Sequence, residues 1–188
     1  MLIDVSYFLS GPRHIANATL AELPSQDSIA VNDMIVAYIK EYQSQFLSGM
    51  LGSKLSREVT DYLELIEQEE EETEENKNEE SASVSESKYE SLCKRIRDSY
   101  ANYVFFHILR DANIQATIKG LVRLKSDNTY VSPFQRQVST WNDMVKKNRE
   151  FVRWASSKDC PFTVSIDSNL LTPVSYTHLR AHETGAYL

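Results

Sequence analysis

The sequence predicts a mainly α-helical domain of four helices, with a short β-hairpin and a disordered acidic insertion. Three observations lead to this prediction. Apolar residues recur at three- and four-residue steps in four segments, a Glu-rich stretch has almost no apolar residue, and a short alternating segment precedes the last helix. The 188 residues suffice for one domain with a hydrophobic core, expected here over residues 1–173.

The first 30 residues are expected to form an irregular N-terminal arm, because Gly11 and Pro12 interrupt any regular pattern. Apolar residues of this arm that could pack against a core are Ile15, Ala16 and Leu20. Helical spacing of apolar residues then runs from Val31 to Leu47, and Gly49 and Gly52 are expected to end this first helix. A second helix is predicted from Leu55 to Ile66.

The acidity of the chain is concentrated in one segment. Residues 64–87 contain eleven Glu and one Lys, a net charge of −10, whereas the whole chain carries −7. Like charges repel and no apolar face is available for burial, so residues 67–87 are predicted to be disordered. Two interpretations stay open: an acidic surface that faces a partner or a ring lumen, or a solvated insertion of variable length.

The third helix is predicted over Lys88–Asn113 and is apolar nearly all round between residues 103 and 109, which is typical of a central helix. His107 lies in this run and is expected to be a hydrogen-bonded core histidine rather than a metal ligand. A β-hairpin is predicted over 117–131, with a turn at Asp127-Asn128. The cations that would share one face of this hairpin are Lys119, Arg123 and Lys125. They could contact an acidic partner, although a hairpin with one polar face toward solvent explains their alternation equally well.

The fourth helix is predicted to begin at Ser132-Pro133, with helix-capping chemistry at both positions. Its wide apolar stripe fits either a core or a subunit interface. The opposite face carries the cations Arg136, Lys146, Lys147, Arg149 and Arg153. The stripe's candidate interface residues are Trp141, Val145 and Phe151.

The sequence contains no phosphate-binding glycine loop, no GxSxG, no CxxC pair and no HExxH motif. The cysteines, Cys93 and Cys160, are far apart, and no apolar run reaches the roughly 18 residues of a membrane span. Residues 88–173 sum to +6, too weak a balance to predict nucleic-acid binding. We therefore expect no enzyme activity, no cofactor, no metal site and no membrane partner.

The end of the chain resembles a sequence that is not a protein family. Residues 174–184, read as VSYTHLRAHET, are similar to one reading frame of a transposase-type sequencing-library adapter. The resemblance implies that residues 174–188 are a non-native tail and that the native protein continues past Pro173. His178 and His182 would then be irrelevant to any metal site, despite their i,i+4 spacing.

Two segments, Tyr7–Asn17 and Ile35–Gly52, resemble a structural protein family of tailed phages and prophages of gut anaerobes, similar to head–tail connector (neck) proteins. The resemblance extends over most of residues 1–157. It implies a connector-like domain whose copies form a ring beneath the portal. Its partners would be other copies, portal and tail proteins, with DNA only as passing cargo, in the virion or the cytoplasm of the bacterial host. The alternatives are a generic helical protein-binding adaptor and, for completeness, a small enzyme.

Overall fold

The computed structural model describes residues 1–75, 88–111, 114–117, 120–123 and 134–175. Four α-helices follow one another along this part of the chain, which confirms the predicted mainly helical class. They are α1 (Gln26–Leu51), α2 (Ser53–Glu75), α3 (Lys88–Asp111) and α4 (Phe134–Ala155). Short 3-10 helices lie at Val5–Phe8, Gly11–Arg13 and Ser168–Leu171.

Helix α1 begins earlier than the sequence pattern predicts, because Ser25 caps it. The Ser25 hydroxyl accepts a hydrogen bond from the Ser28 amide, so the irregular arm ends at residue 25 rather than 30. Gly49 lies inside the helix, and Gly52 ends it with a φ of 82°. A side chain at Gly52 would be strained by this φ, and its Cβ would lie 3.1 Å from the Ser165 Cβ. Gly52 therefore permits both the sharp turn into α2 and the close approach of the C-terminal segment.

Helix α2 runs through Glu75, so the backbone of the first part of the acidic segment is helical rather than disordered. Residues 76–87, the rest of the predicted insertion, lie outside the described residues. Two four-residue strands, β1 (Ile114–Thr117) and β2 (Gly120–Arg123), pair antiparallel. The hairpin predicted over 117–131 is not supported, because these strands pair across residues 118–119 and the Asp127-Asn128 turn lies outside the described residues.

The core lies where α1, α2, α3 and α4 meet, and the N-terminal arm contributes to it directly. Arm residues Leu2, Ile3, Val5 and Phe8 are buried, whereas Ala16 and Leu20, expected to pack inside, are exposed. The arm is short of periodic pattern but rich in apolar side chains, and burial of those side chains decides its position. The largest fully buried side chains of the helices include Phe46, Tyr100, Phe105, Ile35, Ile39 and Ile96.

Polar side chains inside the core are mostly bonded. Tyr100 donates its hydroxyl to the main-chain carbonyl of Ile39, and burial raises its pKa. The Ser99 hydroxyl bonds the Asn148 side-chain oxygen, while the Asn148 amide group donates to the Leu170 carbonyl at 2.8 Å. Asn148 thus joins α3, α4 and the C-terminal segment, since a buried amide without partners would be costly.

Candidate interaction surfaces

The N-terminal end of α1 carries exposed apolar side chains. Leu20 is 64% exposed, Leu23 94% and Ile29 38%. All three lie within ten residues, and we name them the α1 N-terminal surface. Residues 14–39 contain three acids, Glu22, Asp27 and Asp33, and no Lys or Arg. The surface is therefore apolar with an acidic surround.

The loop that bears the two leucines is held in place on α1. The Asn32 side chain donates to the Thr19 carbonyl at 2.7 Å and accepts from the Thr19 amide at 3.2 Å. Ser25 then caps the helix two residues after Leu23. The leucines are thus displayed by an anchored loop. Clusters of exposed apolar side chains on ordered backbone are typical of sites that bind another protein.

Helices α1 and α3 run antiparallel, and α1 extends past the end of α3. The Tyr38 hydroxyl donates to an oxygen of Asp111, the last residue of α3, at 3.2 Å, while Phe46 packs on Tyr100, with 5.0 Å between the ring centroids. The twelve residues of α1 before Tyr38 therefore project roughly 18 Å beyond that level, at 1.5 Å per residue. The α1 N-terminal surface lies on this projection.

The structure does not bring the predicted interface residues together on an exposed face. Val145 and Phe151 are buried in the chain's own core, which contradicts their assignment to a subunit interface. Trp141 is half-buried, packs against Phe106 with 4.9 Å between ring centroids, and donates its indole N–H to a main-chain carbonyl. Lys119 and Lys125 lie outside the described residues, and only the backbone of Arg123 is described. The wide stripe of α4 is explained by packing against α3.

Cations of α4 bind other segments of the same chain. Arg136 donates to the carbonyls of Pro12 and His14 in the arm, and its guanidinium lies 4.7 Å from the ring centroid of Phe105. Lys147 pairs with Asp98 at 3.1 Å, and the pKa of that carboxyl is lowered, against the effect of burial, by Lys147 and Arg13. The basic face predicted for this helix therefore contributes much of its charge to internal contacts.

The thiol of Cys93 is not activated for nucleophilic chemistry. It is fully buried, and burial raises its pKa to about 11. Nucleophilic cysteines need the thiolate, which a raised pKa disfavours at neutral pH.

His107 is buried among aromatic rings, at 7% exposure. It stacks on Tyr42 with 3.8 Å between ring centroids, and Tyr103 packs edge-on at 4.6 Å. Within the described residues neither ring nitrogen has a hydrogen-bond partner, so the predicted hydrogen-bonded histidine is wrong on this point. Burial lowers its pKa to about 4, and nearby Arg110 acts in the same direction. The imidazole is therefore neutral at physiological pH.

The described ranges contain no group of three or more His, Cys, Asp or Glu side chains placed to hold a metal ion. None of the described helices combines the length and hydropathy that crossing a bilayer requires. Comparisons with protein-family models, with curated proteins and with solved structures find no match to this chain.

Proposed function

We propose that this protein is a structural assembly subunit of the phage head–tail connector kind, which acts by binding other proteins and not by catalysis. Its partners would be further copies of itself in a ring together with portal and tail proteins, in the virion or the host cytoplasm. The observation that carries the proposal is the α1 N-terminal surface, in which an anchored loop displays Leu20 and Leu23 to solvent.

The reactive groups give independent support. The pKa of Cys93 is raised and that of His107 is lowered, both by burial, so neither carries its charge near neutral pH. Catalytic groups usually have pKa values moved toward the working pH, and here both shifts point away from it. Neither of these two groups therefore favours catalysis over binding as the function of this fold.

The proposal is tested with the double variant Leu20→Ser/Leu23→Ser. Burial of a leucine contributes about 1.5–3 kcal/mol, so losing two should weaken association by about 100-fold or more. Leu65→Ser is the matched control, because Leu65 is 58% exposed on α2, outside the α1 N-terminal surface. Sedimentation velocity would be measured over a range of concentrations, for the chain alone and with a portal protein from the same genome.

Wild type and Leu65→Ser should form oligomers or bind the portal protein at concentrations about 100-fold lower than the double variant requires, and all three should unfold with similar free energies. A double variant that assembles as well as wild type would refute the role of this surface. A wild-type chain that stays monomeric with and without portal protein would refute the connector proposal itself.

A helical adaptor remains the second candidate, favoured by the continuation of α2 through Glu75, which presents part of the acidic run on a helix. Replacing residues 70–87 with a Gly/Ser linker of equal length separates the two proposals. Connector assembly through the α1 N-terminal surface should survive the replacement. An adaptor that binds through acidic residues should lose its partner, and its binding should also weaken steeply with added salt.

A further inference from the structure

The C-terminal segment lies along α4 and is bound through its backbone. We name residues 162–174 the strap. Side chains of α4 donate to four main-chain carbonyls of the strap, and one of these side chains also accepts from a strap amide. The contacts are Asn148 to Leu170 O (2.8 Å), Arg149 to Leu171 O (3.0 Å), Trp141 to Thr172 O (2.9 Å), Asn142 to Val174 O (3.0 Å), and Val174 N to Asn142 Oδ1 (2.9 Å). Proline occupies the position between the last two.

The other edge of the strap completes the end of α1. The amide of Asp167 donates to the Gly49 carbonyl at 2.7 Å, and that of Ser165 donates to the Leu51 carbonyl at 3.4 Å. Carbonyls in the last turn of a helix lack intrahelical partners, so the strap supplies donors that α1 needs.

One strap side chain is anchored deeply. Leu170 is 7% exposed and lies against Gly49, where an added Cβ would come within 2.8 Å of a Leu170 methyl carbon. The site formed by α1 and α4 therefore recognises an extended peptide through its main chain and one leucine. Any identical segment that reaches this groove would make the same contacts.

We propose that this groove also binds the strap of a second copy, so that neighbouring copies exchange their C-terminal segments. Within the strap, Leu170 alone is fully buried, while Phe162, Val164 and Ile166 are partly buried against the core. Release of the strap loses these contacts, and exchange restores the same contacts in a second copy. The strap is joined to α4 by residues 156–161, all of which are exposed except the half-buried Cys160. Exchange of an identical element at such a hinge is a low-cost route to assembly.

The donated strap and the accepting groove are different surfaces, so the contact is heterologous and can propagate from copy to copy or close into a ring. The inference takes its biological meaning from the proposed assembly function. It does not use the α1 N-terminal surface, however, and the experiment below reports only where the strap lies.

The experiment uses two differently tagged full-length chains, both with Cys160→Ser. One carries Gly49→Cys and the other Asp167→Cys. A Cβ at position 49 would lie 3.9 Å from the Asp167 Cβ, a separation suited to a disulfide. The mixed disulfide can form between chains when the strap of one lies in the groove of the other. Lys158→Cys replaces Asp167→Cys in the background control, because it places an exposed thiol outside the strap.

After co-incubation under oxidising conditions, we expect a covalent heterodimer at least several-fold above the Lys158→Cys background. Peptide mapping should locate the bond between positions 49 and 167. A single chain carrying both new cysteines tests the geometry within one copy. If that chain closes its own disulfide at every concentration and the mixed pair gives no heterodimer above background, the exchange is refuted.

A second variant tests the exchange of straps without any new thiol. Deleting residues 157–159 shortens the turn by which the strap returns along its own α4. Exchange then predicts a shift to oligomers by light scattering, with cooperative unfolding retained. A monomer with cooperative unfolding would overturn the inference.

Discussion

His107 should make the stability of this fold depend on pH in the mildly acidic range. The folded-state pKa is about 4, below the ordinary value of 6.5, so the unfolded chain binds the proton more tightly. This difference in proton affinity lowers the free energy of unfolding. The loss is negligible well above pH 6.5, grows as pH falls, and is complete below about pH 4. At pH 5 it amounts to about 2 kcal/mol, and its limit is about 3 kcal/mol.

The perturbation is His107→Phe, which keeps an aromatic ring on Tyr42 and removes the titrating group. Urea unfolding followed by circular dichroism at pH 8, 6 and 5 should show wild type losing about 2 kcal/mol more than the variant between pH 8 and pH 5. His14→Phe, at an exposed histidine, is the matched control and should lose as much as wild type. Equal losses in wild type and His107→Phe would refute the assignment of this pH dependence to the buried imidazole.

Three further outcomes follow from the core. Cys160 should react with a thiol reagent at pH 8 while Cys93 reacts only after denaturant is added, as a timed thiol assay would show. Arg97→Met should destabilise the fold by about 1–3 kcal/mol in urea unfolding, because the half-buried Glu90 carboxylate loses the guanidinium that donates two hydrogen bonds to it. Tyr100→Phe should cost about 1 kcal/mol, measured in the same way, because a buried carbonyl loses its donor.

The helices could be predicted because their apolar side chains repeat with the helical period. That signal found four helices and placed α3 at the centre, where Tyr100 and Phe105 are indeed buried. The N-terminal arm could not be found in this way. Leu2, Ile3, Val5 and Phe8 enter the core without regular spacing, and tertiary burial alone determines their place.

The sequence of the strap contains a signal of its own packing. Phe162, Val164 and Ile166 alternate along it, and all three pack partly buried against the core. Its binding partners on α4 were hidden, because Asn148 and Trp141 recognise main-chain carbonyls and leave no trace in the strap's own residues.

The candidate interface was misjudged for a related reason. An apolar stripe on a helix looks the same whether a neighbouring helix or another subunit covers it, so Val145 and Phe151 were ambiguous until their exposure was known. The exposed leucines of the arm carry no periodicity. Their significance appears only with the bonds between Asn32 and Thr19 that fix their loop.

The N-terminal arm is held by α4, and this sets the order in which the two can pack while the chain is synthesised. Phe8 belongs to the core, and Arg136 of α4 holds the arm through the carbonyls of Pro12 and His14. During synthesis the arm leaves the ribosome before α4, and Arg136 follows it by more than 120 residues. Until then the apolar side chains of the arm lack their native cover, which is the interval in which a holdase chaperone would have most to bind.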